Sequence, residues 1–404
     1  MSCTVPLPKL DLFGDSKPAG TVGHVSGFAG IVVADEPRAA MIGRDVLSAG
    51  GNPADAAVAA AFALAVTLPS QTGLGAGGVC TVYDRHHKTV DSVNFVAPPR
   101  LIEVPALTRG LYVLYARRGG GLPWSQLIEP AERMARLGQP ISRALAGHLA
   151  ALPADGLAPA AHSLFSRPDG QYLREGDELV QPALGATLAR IRAKQAAALY
   201  GDANASSLAK ALLLASPEAP TQADIVRFEP VWRAAAKFDF QHDGVFFPNA
   251  GPQAVGEGQL WNRLLAVGDA PDAAARLAPL QDLVARQSPQ PATAATGLAV
   301  IGRDGSAVAC DFSLGRMFGS GRLISEFGFL AAAGPLPPLQ PMLAIDLDEN
   351  EFRFAVAAPP ISLEDGRPQG LAAIACGNGA PNLQRCRAAS DARGAGLVSV
   401  AGGD

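Results

Sequence analysis

The chain has 404 residues, 48% of them apolar and 17% charged, with a net charge of −4. That balance excludes a disordered chain and suffices for one large core or two intimate ones. It contains no long basic run, which argues against nucleic acid as the main partner, because phosphate binding needs clustered Lys and Arg.

Residues 1–30 read as an extended or loose arm. Met1 to Phe13 contain no positive stretch followed by an apolar one, so no secretory signal is expected and the predicted location is cytoplasmic. A helix is expected over 39–49, ended by Gly50-Gly51. A second starts with Asn52 as N-cap, Pro53 at the first helical position and Asp55 at the third. Its run to Thr67 is apolar nearly all round, as suits a helix buried between layers; Leu68-Pro69 stops it. The longest apolar run, 56–68, is too short to span a bilayer. A glycine-rich turn at 73–78 leads into a hairpin, 79–83 with 89–95. Residues 123–137 carry a helical pattern, and 140–290 read as mostly helical, with loops near Pro168-Asp169-Gly170 and Phe247-Pro248-Asn249. A helix is expected over 275–287 and a surface linker over 287–294. A second hairpin pairs 297–301 with 307–312. Two further strands are expected at 342–347 and 352–357.

The individual residue types suggest little chemistry. Gly73, Gly75 and Gly78 satisfy a G-x-G-x-x-G pattern, but a helix precedes it and a strand follows. A dinucleotide site needs the reverse order, with a helix N-terminus facing the pyrophosphate, so a tight turn is the reading. The histidines, His24, His86, His87, His148, His162 and His242, form no metal-ligand spacing; His86-His87 reads as a solvated turn, and Glu364-Asp365 as solvated loop charge. No G-x-S-x-G elbow exists. The five cysteines, Cys3, Cys80, Cys310, Cys376 and Cys386, include no CxxC pair, so zinc is not expected. Cys376 and Cys386 could bridge a loop, yet reduced thiols are the plainer expectation for a cytoplasmic protein. Neither a metal nor a cofactor is expected.

Several segments together carry more. The run Gly-Gly-Asn-Pro-Ala-Asp-Ala-Ala-Val-Ala-Ala-Ala at 50–61, the glycine turn after it, Gly121-Leu-Pro-Trp124, Glu175-Gly-Asp177 and Ala389-Ser-Asp391-Ala-Arg393-Gly394 resemble the γ-glutamyltransferase family. The resemblance covers about 31–400, with shortened loops. It implies an α+β fold, the N-terminal-nucleophile (Ntn) hydrolase αββα sandwich of two stacked antiparallel sheets between helical layers. It also divides the chain into an arm (1–30), a large-subunit-like region (31–294) and a small-subunit-like region (295–404), the last two forming one domain together. Enzymes of this family are usually exported, a point on which the present N-terminus departs.

The family's chemistry needs a threonine hydroxyl activated by its own freed α-amine. Aligning through Val300, Asp304 and Gly305 puts that threonine at Ala295, the next threonine at Thr296 and the family's histidine at Gly297. A methyl group can attack neither an acyl carbon nor the preceding peptide bond, so self-cleavage between Ala294 and Ala295 is expected to fail. The substrate-clamping arginine falls on Val96 and a site asparagine on Gly315. Two hydroxyl positions fall on Pro337 and Pro338, and one oxyanion glycine on Pro360, which has no N–H. Losing one oxyanion donor costs about 10²–10³ in rate. Thr296 is the surviving catalytic candidate, though one step along a strand turns its side chain to the other face. Thr293, in the linker, is weaker.

Two readings follow. In one, the chain is a catalytically inactive γ-glutamyltransferase-like protein retained as a binding or structural subunit of a protein complex, with an exposed Ala- and Pro-rich surface near 331–341 for its partner. In the other, it is an active γ-glutamyl hydrolase or transferase with a rearranged site using Thr296. A single engineered Ala295 in an otherwise active enzyme is a third reading, opposed by the other losses.

Overall fold

The computed structural model describes residues 29–249 and 293–357, apart from a few loop positions, and the backbone of short segments between 363 and 401. In chain order these begin with strand β1 (Gly30–Ala34), helices α1 (Pro37–Ser48) and α2 (Pro53–Thr67), and the hairpin β2 (Gly77–Asp84) and β3 (Thr89–Asn94). A helical stretch follows: α3 (Leu107–Arg118), α4 (Trp124–Leu137), the short strand β4 (Gln139–Pro140), α5 (Arg143–Ala150), α6 (Pro159–Leu164), the short strand β5 (Glu178–Leu179), α7 (Pro182–Lys194), α8 (Ala197–Tyr200), α9 (Asp202–Ala215) and α10 (Gln222–Arg227). Then come β6 (Val231–Ala234), β7 (Ala236–Phe240), β8 (Asp243–Phe247), β9 (Thr293–Gly302), β10 (Ala307–Arg316), β11 (Leu323–Ile324), β12 (Phe329–Leu330), β13 (Met342–Asp346) and β14 (Glu351–Ala357). The last are β15 (Leu363–Glu364), β16 (Arg367–Pro368), β17 (Ala389–Ser390) and β18 (Gly396–Ala401).

Two six-stranded sheets form the body, ordered β1-β9-β10-β2-β3-β6 and β17-β18-β14-β13-β8-β7. Every pairing within them is antiparallel. Side chains alternate across a strand, and β9 and β10 follow this strictly. Ala299, Ile301, Ala307 and Ala309 face inward and meet Leu343, Ile345, Phe352 and Ala355 of the second sheet. Their neighbours Leu298, Val300, Val308 and Phe312 face the helices instead. This is the α+β arrangement expected of the Ntn-hydrolase fold, and strands from before residue 250 and after residue 292 contribute to both sheets, β9 and β10 lying between β1 and β2 in the first and β13 pairing with β8 in the second.

α2 lies against the outer face of the first sheet and is buried along its whole length. Its apolar circumference is therefore required by its position between β9, β10 and the outer helices α1, α3 and α4. The expected start is present as a reciprocal cap: Asn52 Oδ1 accepts from Asp55 N, and Asp55 Oδ2 accepts from Asn52 N. Asp55 does more than cap, because its carboxylate also accepts from the backbone N–H groups of Gly120, Gly121 and Leu122 at 2.9, 2.8 and 3.1 Å. It thus pins the α3–α4 turn to the start of α2. Burial pushes its carboxyl above the usual carboxylate range despite those donors.

Several expectations need correction. The span 140–290 is not mostly helical to its end, since β6, β7 and β8 occupy 231–247. The alternation Lys237-Phe238-Asp239-Phe240 has a period of two, and the alanines around it concealed that signal. The segment 287–294 is not surface linker throughout, because β9 begins at Thr293 and Ala294 is buried. The described residues of the 331–341 surface are not exposed: Ala331, Ala332, Leu339 and Gln340 are buried, and Ala333, Gly334 and Leu336 are half-buried. Cys80 and Cys310 are not reduced thiols but a disulfide joining β2 to β10. Cys3, Cys376, Cys386, His24, His242 and the helix expected over 275–287 lie outside the described residues.

The dull readings fare better. A side chain at Gly75 would strike the Leu330 carbonyl, so the glycine run is a close crossing. His86 and His87 are exposed in the β2–β3 turn, with His87 Nδ1 2.7 Å from Asp84 Oδ2. His148 is buried against the Ser70 hydroxyl at 2.8 Å.

Candidate active site

β9 carries the segment of interest, and the hairpin register decides what faces it. Across β10, Ala295 is opposite Ser313 and Gly297 is opposite Asp311. By the same alternation that faces Ala299 and Ile301 inward, residues 295, 297, 311 and 313 share the inter-sheet side. Ala295 is only 2% exposed. It packs in an apolar cluster with Val79, Leu339 and the partly buried Val96. The structure therefore brings together two positions that alignment had linked only on paper, 295 and 96, and both present alkyl groups.

The remaining space is narrow. A β-carbon added at Gly297 would stand 2.6 Å from the Ala357 methyl and 3.0 Å from Asp311 Oδ1. A histidine there would collide with the end of β14. Gly315 adopts φ +83°, a conformation L side chains rarely hold. A β-carbon there would lie 2.0 Å from the Ala333 carbonyl oxygen, so an asparagine would displace the backbone at 333. Leu336 rests its side chain against Gly77, whose own β-carbon would clash with it at 2.4 Å. Pro337, Pro338 and Pro360 lie outside the described residues.

Polar groups do approach Ala295, from residues the sequence had not marked. Ser313 Oγ donates to the Ala294 carbonyl at 2.5 Å and accepts from Gly315 N at 2.8 Å. The ladder shifts register between Ser313 and Gly315, and the serine hydroxyl holds this bulge closed. Asp311 is buried, and its Oδ2 accepts from Gln340 N at 2.9 Å, which fastens the 339–341 segment over β10. Counting rungs outward from the Gly302–Ser306 turn would have found both, because the pairs 297/311 and 295/313 are equidistant from it.

Thr296 stands apart from this group. It is 1% exposed and lies opposite Phe312, which belongs to the helix-side core. Its hydroxyl donates to Asp35 Oδ2 at 2.8 Å, and Gly297 N donates to the same oxygen at 3.2 Å. Asp35 sits between β1 and α1, so the carboxylate ties the start of β9 to the edge strand. Thr293 belongs to β9, opposite Arg316. Surface openings of about 280 and 390 Å³ occur elsewhere. The first lies beside the start of α2 and is lined by Tyr83, Asp84, His86 and Asp304; the second lies between α1 and α4, lined by Ile42, Val46 and Pro130. No helix among the described residues is long and apolar enough to cross a membrane.

Comparison with known proteins agrees with this architecture. The chain is 33% identical over 200 residues to the glutathione hydrolase proenzyme of Bacillus subtilis, 43% of this chain and 34% of that one. The match thus spans about a third of that relative's length. Among solved structures, the cephalosporin acylase of Bacillus halodurans superposes with a TM-score of 0.63 at 20% identity, covering 87% of this chain and 81% of that one. That likeness is one of fold alone. The γ-glutamyltranspeptidase of Helicobacter pylori superposes with a TM-score of 0.53 at 25% identity, covering 61% and 76% of the two chains. Residues 39–100 and 96–260 match the gamma-glutamyltranspeptidase family itself, more than half of the chain, and on that match this protein belongs to the gamma-glutamyltranspeptidase family.

Proposed function

We propose that this chain is a catalytically inactive γ-glutamyltransferase-like protein, retained as a binding or structural subunit of a protein complex. The observation that carries the reading is the methyl group at 295, packed against Val79, Val96 and Leu339 on the inter-sheet side. Acyl transfer of this class requires a nucleophilic hydroxyl there, a base to activate it and donors for the oxyanion. The side chain of residue 295 has no oxygen and that of residue 96 has no charge. The contacts at Gly297 and Gly315 leave no volume for a histidine or an asparagine. Since the chain spans only part of its curated relatives, the partner is inferred from lost chemistry and not from any surface.

One observation favours the second reading, an active γ-glutamyl hydrolase or transferase using Thr296. The Thr296 hydroxyl lies 2.8 Å from a carboxylate that could accept its proton. Against it, the hydroxyl is buried on the helix-side face, where an acyl carbon would have to displace core residues. The chain would also have to break before 296 for the free amine to form.

Incubation with a chromogenic γ-glutamyl anilide, followed by intact mass after reduction and denaturation, tests the proposal. No release of the anilide and a single full-length species are expected. Sustained turnover by protein cut at 295 or 296 would overturn it. Reduction before the mass measurement is essential, because Cys80–Cys310 would hold two fragments together. The cytoplasmic setting expected from the N-terminus goes with free thiols, and this disulfide argues against it.

A further inference from the structure

Cys80 and Cys310 are separated by 230 residues and sit directly opposite one another on β2 and β10. One belongs to the region before residue 295 and the other to the region after it. Both are fully buried, in the core beneath α2. β10 also pairs with β9, so the strands carrying Val79, Ala295 and Asp311 meet at this one seam. No other covalent link besides the backbone joins the two regions among the described residues.

We propose that Cys80–Cys310 is a redox-gated staple: it holds the two regions together in an oxidising compartment and yields to reductant only after the β2–β10 seam opens. Formation is thiol–disulfide exchange with a small-molecule or protein disulfide. Two protein thiols become one protein disulfide, while the oxidant's two sulfurs leave as thiols; a dithiol reverses the exchange and is itself oxidised. The gate follows from burial. An attacking thiolate must approach a sulfur directly, and neither sulfur here is reachable while α2 covers the sheet. The constraint is large because the closed loop is long, and loop-closure entropy grows with the logarithm of loop length.

The test uses the whole chain. After rapid alkylation and non-reducing digestion, a linked peptide pair containing Cys80 and Cys310 is expected. A chain carrying a site-specific protease sequence inserted after Gln290 is then cut and run on denaturing gels. One species is expected without reductant and two with dithiothreitol. In the uncut protein, reduction should be at least about a hundredfold slower than in the urea-unfolded chain at the same dithiothreitol concentration, because the seam must open first, and the reduced form should melt about 5 °C lower. A double Cys80→Ala, Cys310→Ala chain should separate on cutting without reductant; the wild-type measurements stand if that variant does not fold. Fragments that part without reductant would overturn the staple, as would alkylated Cys80 and Cys310 in protein from oxidising medium. Reduction of the folded protein as fast as that of the urea-unfolded chain would overturn the gate.

Discussion

Replacing Thr296 with valine separates a nucleophile from a structural tether. Valine keeps the volume and branching of threonine, so β9 keeps its packing, and only the hydroxyl's donation to Asp35 disappears. A hydrogen bond to a charged group contributes about 1.5–3 kcal/mol. Asp35 is half-buried and keeps the Gly297 N–H, so its carboxylate is not abandoned, and a loss of about 1–2 kcal/mol is expected. Unfolding entropy near 2.1 cal/mol/K per residue gives about 0.85 kcal/mol per degree for 404 residues. The melting temperature should therefore fall by about 1–2 °C, which replicate calorimetry resolves. In parallel, γ-glutamyl anilide release should stay at the background of uncatalysed hydrolysis for both proteins. An unchanged melting temperature together with a wild-type turnover that Thr296→Val abolishes would refute the tether and favour the catalytic reading.

Other outcomes follow from the same geometry. Ala295→Thr alone should neither cut the chain nor restore anilide turnover, and should lower stability by about 1–3 kcal/mol by overpacking the Val79–Val96–Leu339 cluster, as read by urea unfolding. Gly315→Asn should be worse, because φ +83° and the Ala333 carbonyl oppose the same side chain; a loss of soluble protein or an altered near-ultraviolet spectrum would register it. Asp55→Ala should cost about 3–5 kcal/mol by stranding the backbone donors at Asn52, Gly120, Gly121 and Leu122, measurable by urea unfolding. Asp346 bears on acid stability: the Glu349 N–H chiefly, opposed by burial and helped by Arg353 and Asp348 N–H, holds its carboxyl below the usual range. A depressed folded-state value contributes stability above the unfolded value of about 3.9 that is lost as pH falls through the folded value. Asp346→Asn should therefore flatten the decline of melting temperature below about pH 4. Asp55 acts in the opposite sense, since its raised value favours the fold at low pH and loses that contribution as pH rises.

Local signals in the chain were enough to specify much of the scaffold. The Asn52–Pro53–Asp55 start, the apolar circumference of α2 and the hairpins on either side of 84–88 and 302–306 are all set by neighbours within a few residues. Family membership was legible for the same reason, since its most specific motif is one continuous run at 50–61. That residue 295 carries a methyl group and no hydroxyl was equally plain, because chemical identity does not depend on folding. The tertiary structure alone decided what fills the space around that methyl. Ser313 and Asp311 face it through strand register, Val96 and Leu339 reach it from segments some 200 residues before it and 40 after it, and Gly297 and Gly315 are hemmed in by atoms of residues 357 and 333. The disulfide belongs to the same class: Cys80 and Cys310 meet only because β10 slots between β9 and β2. Contacts made across hundreds of residues depend on which strand lies beside which, and periodicity within a segment carries no record of that.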